Sequence, residues 1–598
     1  MGTPESLVHQ IAHWAETTPD RPAQHDLSTA THLTLSWSAY WQRVQAVGRG
    51  LLALGHEVGD AVALLGANRP AWVHAQFGIQ AARGIVAPIY TTSTMEQTSY
   101  IVGHAKAKIA IAGDASLLEK LLEGEKAGIF PALESIITFD PIEHEDPRIM
   151  SLDQLIERGA DQAGLDERLS SLDPEHTCLL IYTSGTTGTP KGVELSHAGQ
   201  LMIGRSIISL HPEIGDPGRY RSVSYLPLCH QAEQLFTNIF SLLTGGQVYF
   251  CPDLAQIKEY LVEARPTVFL GVPRVWEKFE AALQAKLADT TPARGRLAAW
   301  AMKTELHCFK KEMAQGGKPY NPLGRRIGRW LVINKIKSAL GMDELEVSVT
   351  GSAPIAVSTQ EFFASLGIKI MEAYGLSETS GVATVTDFAC PKFGTVGKAV
   401  PGVSLRISDE GEIQVQGPNN TSGYLHMPEE TAELYTEDGW LRTGDLGTID
   451  EEGNVSITGR IKEIIITAGG KNVAPTEMEN HIKSIPGVGQ AVVVGDRKPY
   501  LCALITLDSE NLAELRQASG CSGEEISSLA SDPAFITWIE GQIEECCNKK
   551  VARYQTIKRF EVLGHEFSVE GGELTATMKL RRGPIHEKYA ATIEALYA

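Results

Sequence analysis

Several kinds of feature are missing from this sequence. No run of apolar residues approaches the ~20 needed to cross a bilayer as a helix, so a membrane-spanning segment is not expected. The first stretch, MGTPESLVHQIAHWAETTPDRPA, has no basic segment leading into an apolar one, and no secretory signal is read there. The nine cysteines are scattered apart from the adjacent Cys546 and Cys547, and no C-x-x-C pair occurs. Neither a zinc site nor a disulfide framework is expected, and the setting that fits is a reducing, cytoplasmic one. Positive charge is scarce: 53 Lys and Arg against 73 Asp and Glu leave a net charge of −20. Nucleic acid is disfavoured as a partner, because phosphate backbones are bound by basic faces. A nucleotide needs only local amides and a few cations. Internal repeats and low-complexity tracts are also absent.

The 598 residues are enough for several domains. The stretches DAVALLGANRPAWVHAQFGIQAARG and IVAPIYTTSTMEQTSYIVGHAKAKIAIAGD read as short apolar strands alternating with helical-period segments, the pattern of parallel βαβ units. The rhythm continues through TVFLGVP and VSVTGSAPI to KIMEAYGLSE, and a long helical region is expected from Glu277 onward. Beyond residue 390, stretches such as GEIQVQGPNNTSGYL and AVVVGDRKPYLCALITL predict short strands broken by Gly, Asn and Asp turns. A boundary is expected at Arg460-Ile461, giving domains over 1–460 and 461–598.

The segment IYTSGTTGTPKGVELSH, Ile181 to His197, gathers four threonines, two serines and three glycines around one lysine. A strand is predicted on each side, so the loop closes a hairpin, and Ser196 is placed to cap the next helix. Glycines 185, 188 and 192 let backbone N–H groups converge on an anion. Thr183, Ser184, Thr186 and Thr187 add hydroxyl donors, and Lys191 adds a cation. Walker A spacing, G-x-x-x-x-G-K-[ST] followed by a helix, is not met: counted from Gly185, the sixth position is Pro190.

YTSGTTGTPKGV resembles the phosphate-binding signature of the adenylate-forming superfamily, which includes acyl-CoA synthetases, luciferases and nonribosomal adenylation domains. Other family motifs follow in order. GSAPI (Gly351, Ser352, Ala353 and on to Ile355) and EAYGLSET (Glu372, Ala373, Tyr374, Gly375 through Ser377 and Glu378) resemble the adenine-pocket and metal-site motifs. The resemblance implies that Tyr374 lies against adenine, Ser377 faces the α-phosphate, and Glu378 holds Mg²⁺ together with Thr186. A glutamate beside phosphates also suits magnesium as a hard oxygen ligand. DGWLRTGDLG implies that Asp445 accepts from the ribose hydroxyls. GRIKEIIITAGGKNVAP implies that Arg460 reaches ribose or phosphate, that Lys462 is the hinge, and that Gly469 lies beside the CoA pantetheine tunnel. Ile466 departs from the lysine common in relatives, so no contact is transferred there. GGELTATMKLRR implies that Lys579 is the lysine of the adenylation step. Gly185 and Gly188 complete the nucleotide-binding set.

The fold implied is α/β: a large N-terminal adenylate-forming domain with mainly parallel sheets and a β-rich subdomain, then a small mobile α+β C-terminal domain. The reaction implied is ATP-dependent conversion of an acid to acyl-AMP with pyrophosphate release, followed by transfer to CoA. SYLPLCHQAEQ resembles the family segment whose histidine lies near the acyl-pocket entrance, and His230 matches that histidine. RPTVFLGVPRVWEKF and the helical stretch after it resemble long-chain, including bubblegum-type, members, so the expected acid is a long-chain fatty acid. Transfer to a carrier-protein thiol, and a lapsed nucleotide-binding regulator, stay open. RRIGRWLVINKIKSALG sets Arg325, Arg326, Arg329, Lys335 and Lys337 beside Trp330, Leu331, Val332 and Ile333. A basic amphipathic surface of that kind fits peripheral membrane contact, and a packed helix with one solvated face fits it as well.

Overall fold

The computed structural model describes residues 5–28, 32–184, 189–575 and 579–598. Its largest sheet has seven strands in the order Ile149–Ser151, Ser135–Thr138, Ile109–Ala112, Ala61–Leu65, Ile85–Ile89, Thr177–Ser184 and Pro190–Ser196. Every neighbouring pair is parallel except the last. Strands such as AVALL are apolar throughout because helices cover both faces of a parallel sheet. Val62, Leu64, Ile109 and Ile111 pack in one layer with Trp37, Trp72 and Phe77. Ala63, Leu65, Ala110 and Ala112 pack in the other with Ile101, Leu117 and Leu121. Helices Pro70–Ala81 and Met95–His104 supply crossovers, as the strand-then-helix pattern predicts, the second opening on a capping box at Thr94.

A second sheet runs Val268–Leu270, Val347–Thr350, Ile370–Tyr374, Thr384–Val385, Lys398–Ala399. Its first three strands are parallel, so their carboxyl ends share one edge, where open α/β sheets present ligand-binding loops. A four-stranded antiparallel sheet, Ser404–Ile407 to Val455–Arg460, follows as the β-rich part. Beyond it, Val488–Val494, Leu501–Leu507 and Ile557–Leu563 form a three-stranded sheet. Alternate residues of these strands point to opposite helical layers. Ala491, Val493, Ala503 and Ile505 meet Met478, Ile482 and Ile539, and Val492, Val494 and Leu504 meet Ile585, Tyr589 and Ile593. The chain is therefore α/β in its first part and α+β in its last.

The long helical region forms as two helices, Pro273–Ala288 and Pro292–Ala314. Proline at the first helical position restarts the second, since its fixed φ suits a helix start and its missing N–H needs no partner there. The basic segment that follows is also helical, over Leu323–Gly328 and Asn334–Ala339 with a π turn at Arg329–Ile333. The segment packs as a helix with one solvated face, the second of the two arrangements its pattern allows. Arg325 is buried and holds Glu305 and Glu312 at 2.8 and 2.5 Å, and Arg329 reaches Glu305 at 2.6 Å. Ile333 is buried as well, whereas Arg326, Lys335 and Trp330 face outward. Two acidic side chains on the preceding helix decide which cations turn inward.

Candidate functional site

The strand Val347–Thr350 runs into Gly351, Ser352 and Ala353, and its parallel neighbour Ile370–Tyr374 carries Glu372, Ala373 and Tyr374 toward Gly375 and Ser377. These loops therefore leave one sheet edge side by side. At Gly351 a Cβ would fall 2.9 Å from the carbonyl oxygen of Ala373, so a glycine is what the close approach requires. Ser352 has φ of +69°, a costly conformation for a residue with a side chain and one found disproportionately at ligand sites. Glu372 lies buried beneath this edge, and burial pushes its carboxyl up to about 7 against a hydrogen bond from Gln360.

Antiparallel pairing of Leu441–Ile449 with Val455–Arg460 sets Asp445 opposite Arg460. Arg460 Nε lies 2.6 Å from Oδ1 of Asp445, and the Tyr374 hydroxyl donates to Oδ2 at 2.8 Å. Burial pulls the Arg460 guanidinium down, but the Asp445 carboxylate more than offsets it, leaving Arg460 above its ordinary range. Burial holds the Tyr374 phenol well up, and Asp445 adds to the effect. The Tyr374 ring packs with Ile413 and Val455. Each carboxylate oxygen has a second lone pair, so Asp445 can accept from a sugar diol while keeping both partners.

The threonine- and glycine-rich segment is the tip of a hairpin, with Thr183 paired to Lys191 across the strands. Ser184 ends the first strand. Gly185, Thr186, Thr187 and Gly188 lie outside the described residues. Ser196 caps the next helix by accepting from the Gly199 N–H at 3.1 Å. Lys191 Nζ stands 4.9 Å from the centre of the Tyr424 ring, and the Tyr424 hydroxyl donates to Glu378 Oε1 at 2.8 Å. Tyr424 thus joins the hairpin lysine to the Ser377–Thr379 turn, although it belongs to none of the motifs named above. The available signal was the Gly423-Tyr424 pair: Gly423 has φ of +151°, and a Cβ there would fall 2.4 Å from Thr431 Cγ2. No group of three or more His, Cys, Asp or Glu able to hold a metal occurs among the described residues. Magnesium bound with a nucleotide takes one or two carboxylates, its remaining ligands being phosphate oxygens and water. Glu378, a partly exposed carboxylate beside the hairpin, fits that donor set.

Lys579, from the end of the chain, enters the same space. The positive charge of Arg460 and the negative charges of Asp445 and Glu378 all act on its ammonium, which burial and Arg460 together pull down. Its side chain is exposed to solvent. Burial and the Lys579 charge push His230 down to about 3, so its imidazole is neutral. His230 Nδ1 accepts from the Ala232 N–H at 3.2 Å, which puts the ring proton on Nε2 and makes that nitrogen a donor. The turn carrying His230 is held by buried polar groups that the sequence reading did not single out. Asn68 Nδ2 donates to the Leu226 carbonyl at 2.7 Å, and Gln234 Nε2 donates to the Leu228 carbonyl at 2.6 Å. Glu233 accepts from Thr237 at 2.5 Å, and burial pushes it up to about 7.

Two expected residues stand apart from this cluster. Lys462 is exposed in the short turn Ile461–Glu463, whose Glu463 is fixed by Arg582 at 3.1 Å. Gly469 is exposed in a turn between Ile465–Ile466 and Asn472–Val473, and a Cβ there would meet only Thr467 Oγ1, at 4.0 Å. A further bond ties the last part of the chain to the first: Arg274 Nη2 reaches the buried Asp508 Oδ2 at 2.5 Å.

Comparison with known proteins agrees with this layout. The family model described as AMP-binding enzyme matches residues 11–425, and that described as AMP-binding enzyme C-terminal domain matches residues 462–598. Long-chain-fatty-acid–CoA ligase FadD15 of Mycobacterium tuberculosis is 37% identical over 562 residues, covering 93% of this chain and 91% of its own. Long-chain-fatty-acid–CoA ligase ACSBG1 of Homo sapiens is 34% identical over 596 residues, covering 94% and 81%. Among solved structures, the adenylation domain of a carboxylate reductase from Mycobacterium chelonae superposes with a TM-score of 0.75 at 22% identity, covering 99% of this chain and 91% of that one. Sequence and fold together lead to one placement: the chain belongs to the family of AMP-binding enzymes.

Proposed function

We propose that this enzyme activates a long-chain fatty acid with ATP and passes the acyl group to CoA. A carboxylate is a poor electrophile toward a thiol because its leaving group would be an oxide. In the first step a carboxylate oxygen bonds to the α-phosphorus of ATP, the bond to the bridging oxygen breaks, and pyrophosphate leaves. The resulting acyl-AMP carries a good leaving group. In the second step the CoA sulfur bonds to the acyl carbon, AMP departs, and the thiol proton passes to solvent.

The observation that carries this reading is that Lys579 interacts electrostatically with Asp445, Glu378, Arg460 and His230. Asp445 and Arg460 hold the ribose, and Tyr374 steadies Asp445. Lys579 bridges the carboxylate and the α-phosphate, where it neutralises developing charge in a positioned, partly desolvated site. Lys191, with the hydroxyls and amides of the hairpin, grips the β- and γ-phosphates. Glu378, with Thr186, would hold Mg²⁺, which when bound would supply Lewis-acid stabilisation of phosphate charge. His230 offers its Nε2 proton to the acid or its adenylate at the pocket entrance. Residues 1–460 and 461–598 move as two bodies about Lys462, so that Lys579 withdraws and Gly469 opens a path for the thiol. The long-chain assignment rests on relatives named as long-chain-fatty-acid–CoA ligases that match over nearly the whole chain. Peripheral contact with a lipid surface accords with such a substrate.

ATP- and CoA-dependent turnover over saturated acids from short to very long tests the reading, with a maximum expected among long chains. A preference for acetate or aryl acids would overturn the substrate class. Acyl-AMP that accumulates undiminished with CoA present would instead favour a carrier-protein acceptor.

A further inference from the structure

Between residues 292 and 340 the chain carries eleven Lys and Arg against two Glu, whereas its net charge overall is −20. Both of those acids, Glu305 and Glu312, are spent on Arg325 and Arg329 in the buried pairing that fastens the two helical segments together. Arg294, Arg296, Lys303, Arg326 and Lys335 are left exposed, and no ion pair involves them among the described residues.

Apolar side chains stand among these cations. Leu323 and Trp330 are 70% and 72% exposed, and Ile327, Trp300 and Leu297 are exposed too. Leu323, Ile327 and Trp330 recur at helical spacing along one face. The second helix turns glycines toward the first: a Cβ on Gly324 or Gly328 would lie 3.9 or 3.6 Å from the Trp300 ring. Trp300 therefore lies close against that helix, and the two segments present one apolar stripe edged by arginine and lysine. A protein of strongly negative net charge is repelled by anionic surfaces except where positive charge is concentrated. A helical face with protruding tryptophan and leucine flanked by unpaired cations matches the chemistry of an anionic lipid surface, which takes apolar groups at its acyl boundary and cations at its phosphates.

We infer that the outer face of Pro292–Ala314 and Leu323–Ala339 seats this protein on anionic lipid. Trp330, Leu323 and Ile327 enter the headgroup region, and Arg294, Arg296, Lys303, Arg326 and Lys335 meet the lipid phosphates. The buried Arg325–Glu305–Glu312 pairing keeps the two helices in register, so the face is presented ready-made. This seating does not depend on which acid the enzyme activates.

The test is co-sedimentation of the full chain with phosphatidylcholine vesicles, with and without phosphatidylglycerol, in the absence of acid, ATP and CoA. Binding is expected only with phosphatidylglycerol present, and it is expected to weaken as salt rises. Arg326→Glu with Lys335→Glu is expected to lower partitioning at least about tenfold, given roughly 1 kcal/mol per cation near such a surface, and Trp330→Ser to lower it severalfold. Lys126→Glu, an exposed reversal elsewhere, should have little effect. Pyrophosphate release from a detergent-dispersed acid should be unchanged in all of these variants, which reports that they fold and separates the seating from the catalytic reading. Absence of binding to phosphatidylglycerol vesicles would overturn the inference, as would binding that the face variants leave intact. Light scattering that shows the same variants dissolving a dimer would assign the face to a second copy of the chain instead.

Discussion

Arg460 and Asp445 face each other across a strand pair, 2.6 Å apart, with the Tyr374 hydroxyl on the remaining carboxylate oxygen. The carboxylate is thus fixed in place before any nucleotide arrives, so little ordering remains to be done on binding. Asp445→Ala removes the proposed ribose acceptor and leaves Arg460 and the buried Tyr374 hydroxyl without their partner. Charge-assisted hydrogen bonds contribute about 1.5–3 kcal/mol, so kcat/KM for ATP should fall roughly 10- to 100-fold. ATP–pyrophosphate exchange measures it, and an unchanged KM for ATP would remove Asp445 from the ribose site.

On the proposed mechanism, Lys579 acts in the first chemical step and not in the second. Lys579→Ala should slow pyrophosphate release by about 10²–10³, the usual effect of losing one preorganised charge donor. Conversion of supplied acyl-AMP and CoA to thioester should stay close to that of the parent enzyme. Lys462→Asp, at the exposed turn where the chain is proposed to pivot, should do the reverse. Equal losses in both steps for both variants would contradict a division of labour between two arrangements.

The regular elements were the legible part of this chain, because their information is local. The apolar strand and the periodic helix of residues 60–84 lie within one short window, and Ser196 caps the helix it immediately precedes. Family motifs marked Asp445 and Arg460, although their mutual pairing is a matter of strand register. What stayed hidden depends on residues distant in sequence. Tyr424 matters because the chain folds back to lay it between Lys191 and Glu378. The inward turn of Arg325 was hidden because Glu305 and Glu312 sit on another helix. Asn68 supports the His230 turn from 158 residues away.

Arg274 and Asp508 form the next point of leverage. Their 2.5 Å contact runs between the helix Pro273–Ala288 and the residue that follows the strand Leu501–Leu507 in the last part of the chain. If that part swings between the two steps, this bond belongs to the arrangement that brings Lys579 in. Arg274 is about one-third exposed, so solvent discounts the pair to about 1 kcal/mol. Arg274→Ala should therefore slow pyrophosphate release some three- to tenfold and leave thioester formation from supplied acyl-AMP unchanged. Arg274→Lys should restore part of the loss. A uniform fall in both steps, matched by a lower Tm, would show that the bond serves only stability.

Two buried carboxyls contribute a falling component to the pH dependence of stability. Burial raises Glu233 and Glu372 from 4.5 to about 7 each. In both cases the folded chain holds a proton that the unfolded chain has already released. Their contribution to the unfolding free energy therefore decreases as pH rises from about 4.5 to about 7 and levels off above that, against the opposite contribution of buried histidines such as His74 and His197, which are pushed down to about 3. Each carboxyl contributes about 3 kcal/mol to this decline. Glu233→Gln keeps a neutral polar side chain at the site, so its share of the decline should disappear. Urea denaturation at pH 5 and pH 8 measures this: the stability of the parent relative to the variant should fall between the two pH values. His230 lies three residues from Glu233 on the same turn, so pyrophosphate release in the parent should drop above pH 7 as Glu233 ionises, and the variant should hold its rate. Parallel stability and rate profiles for parent and variant would show that Glu233 does not titrate in this range.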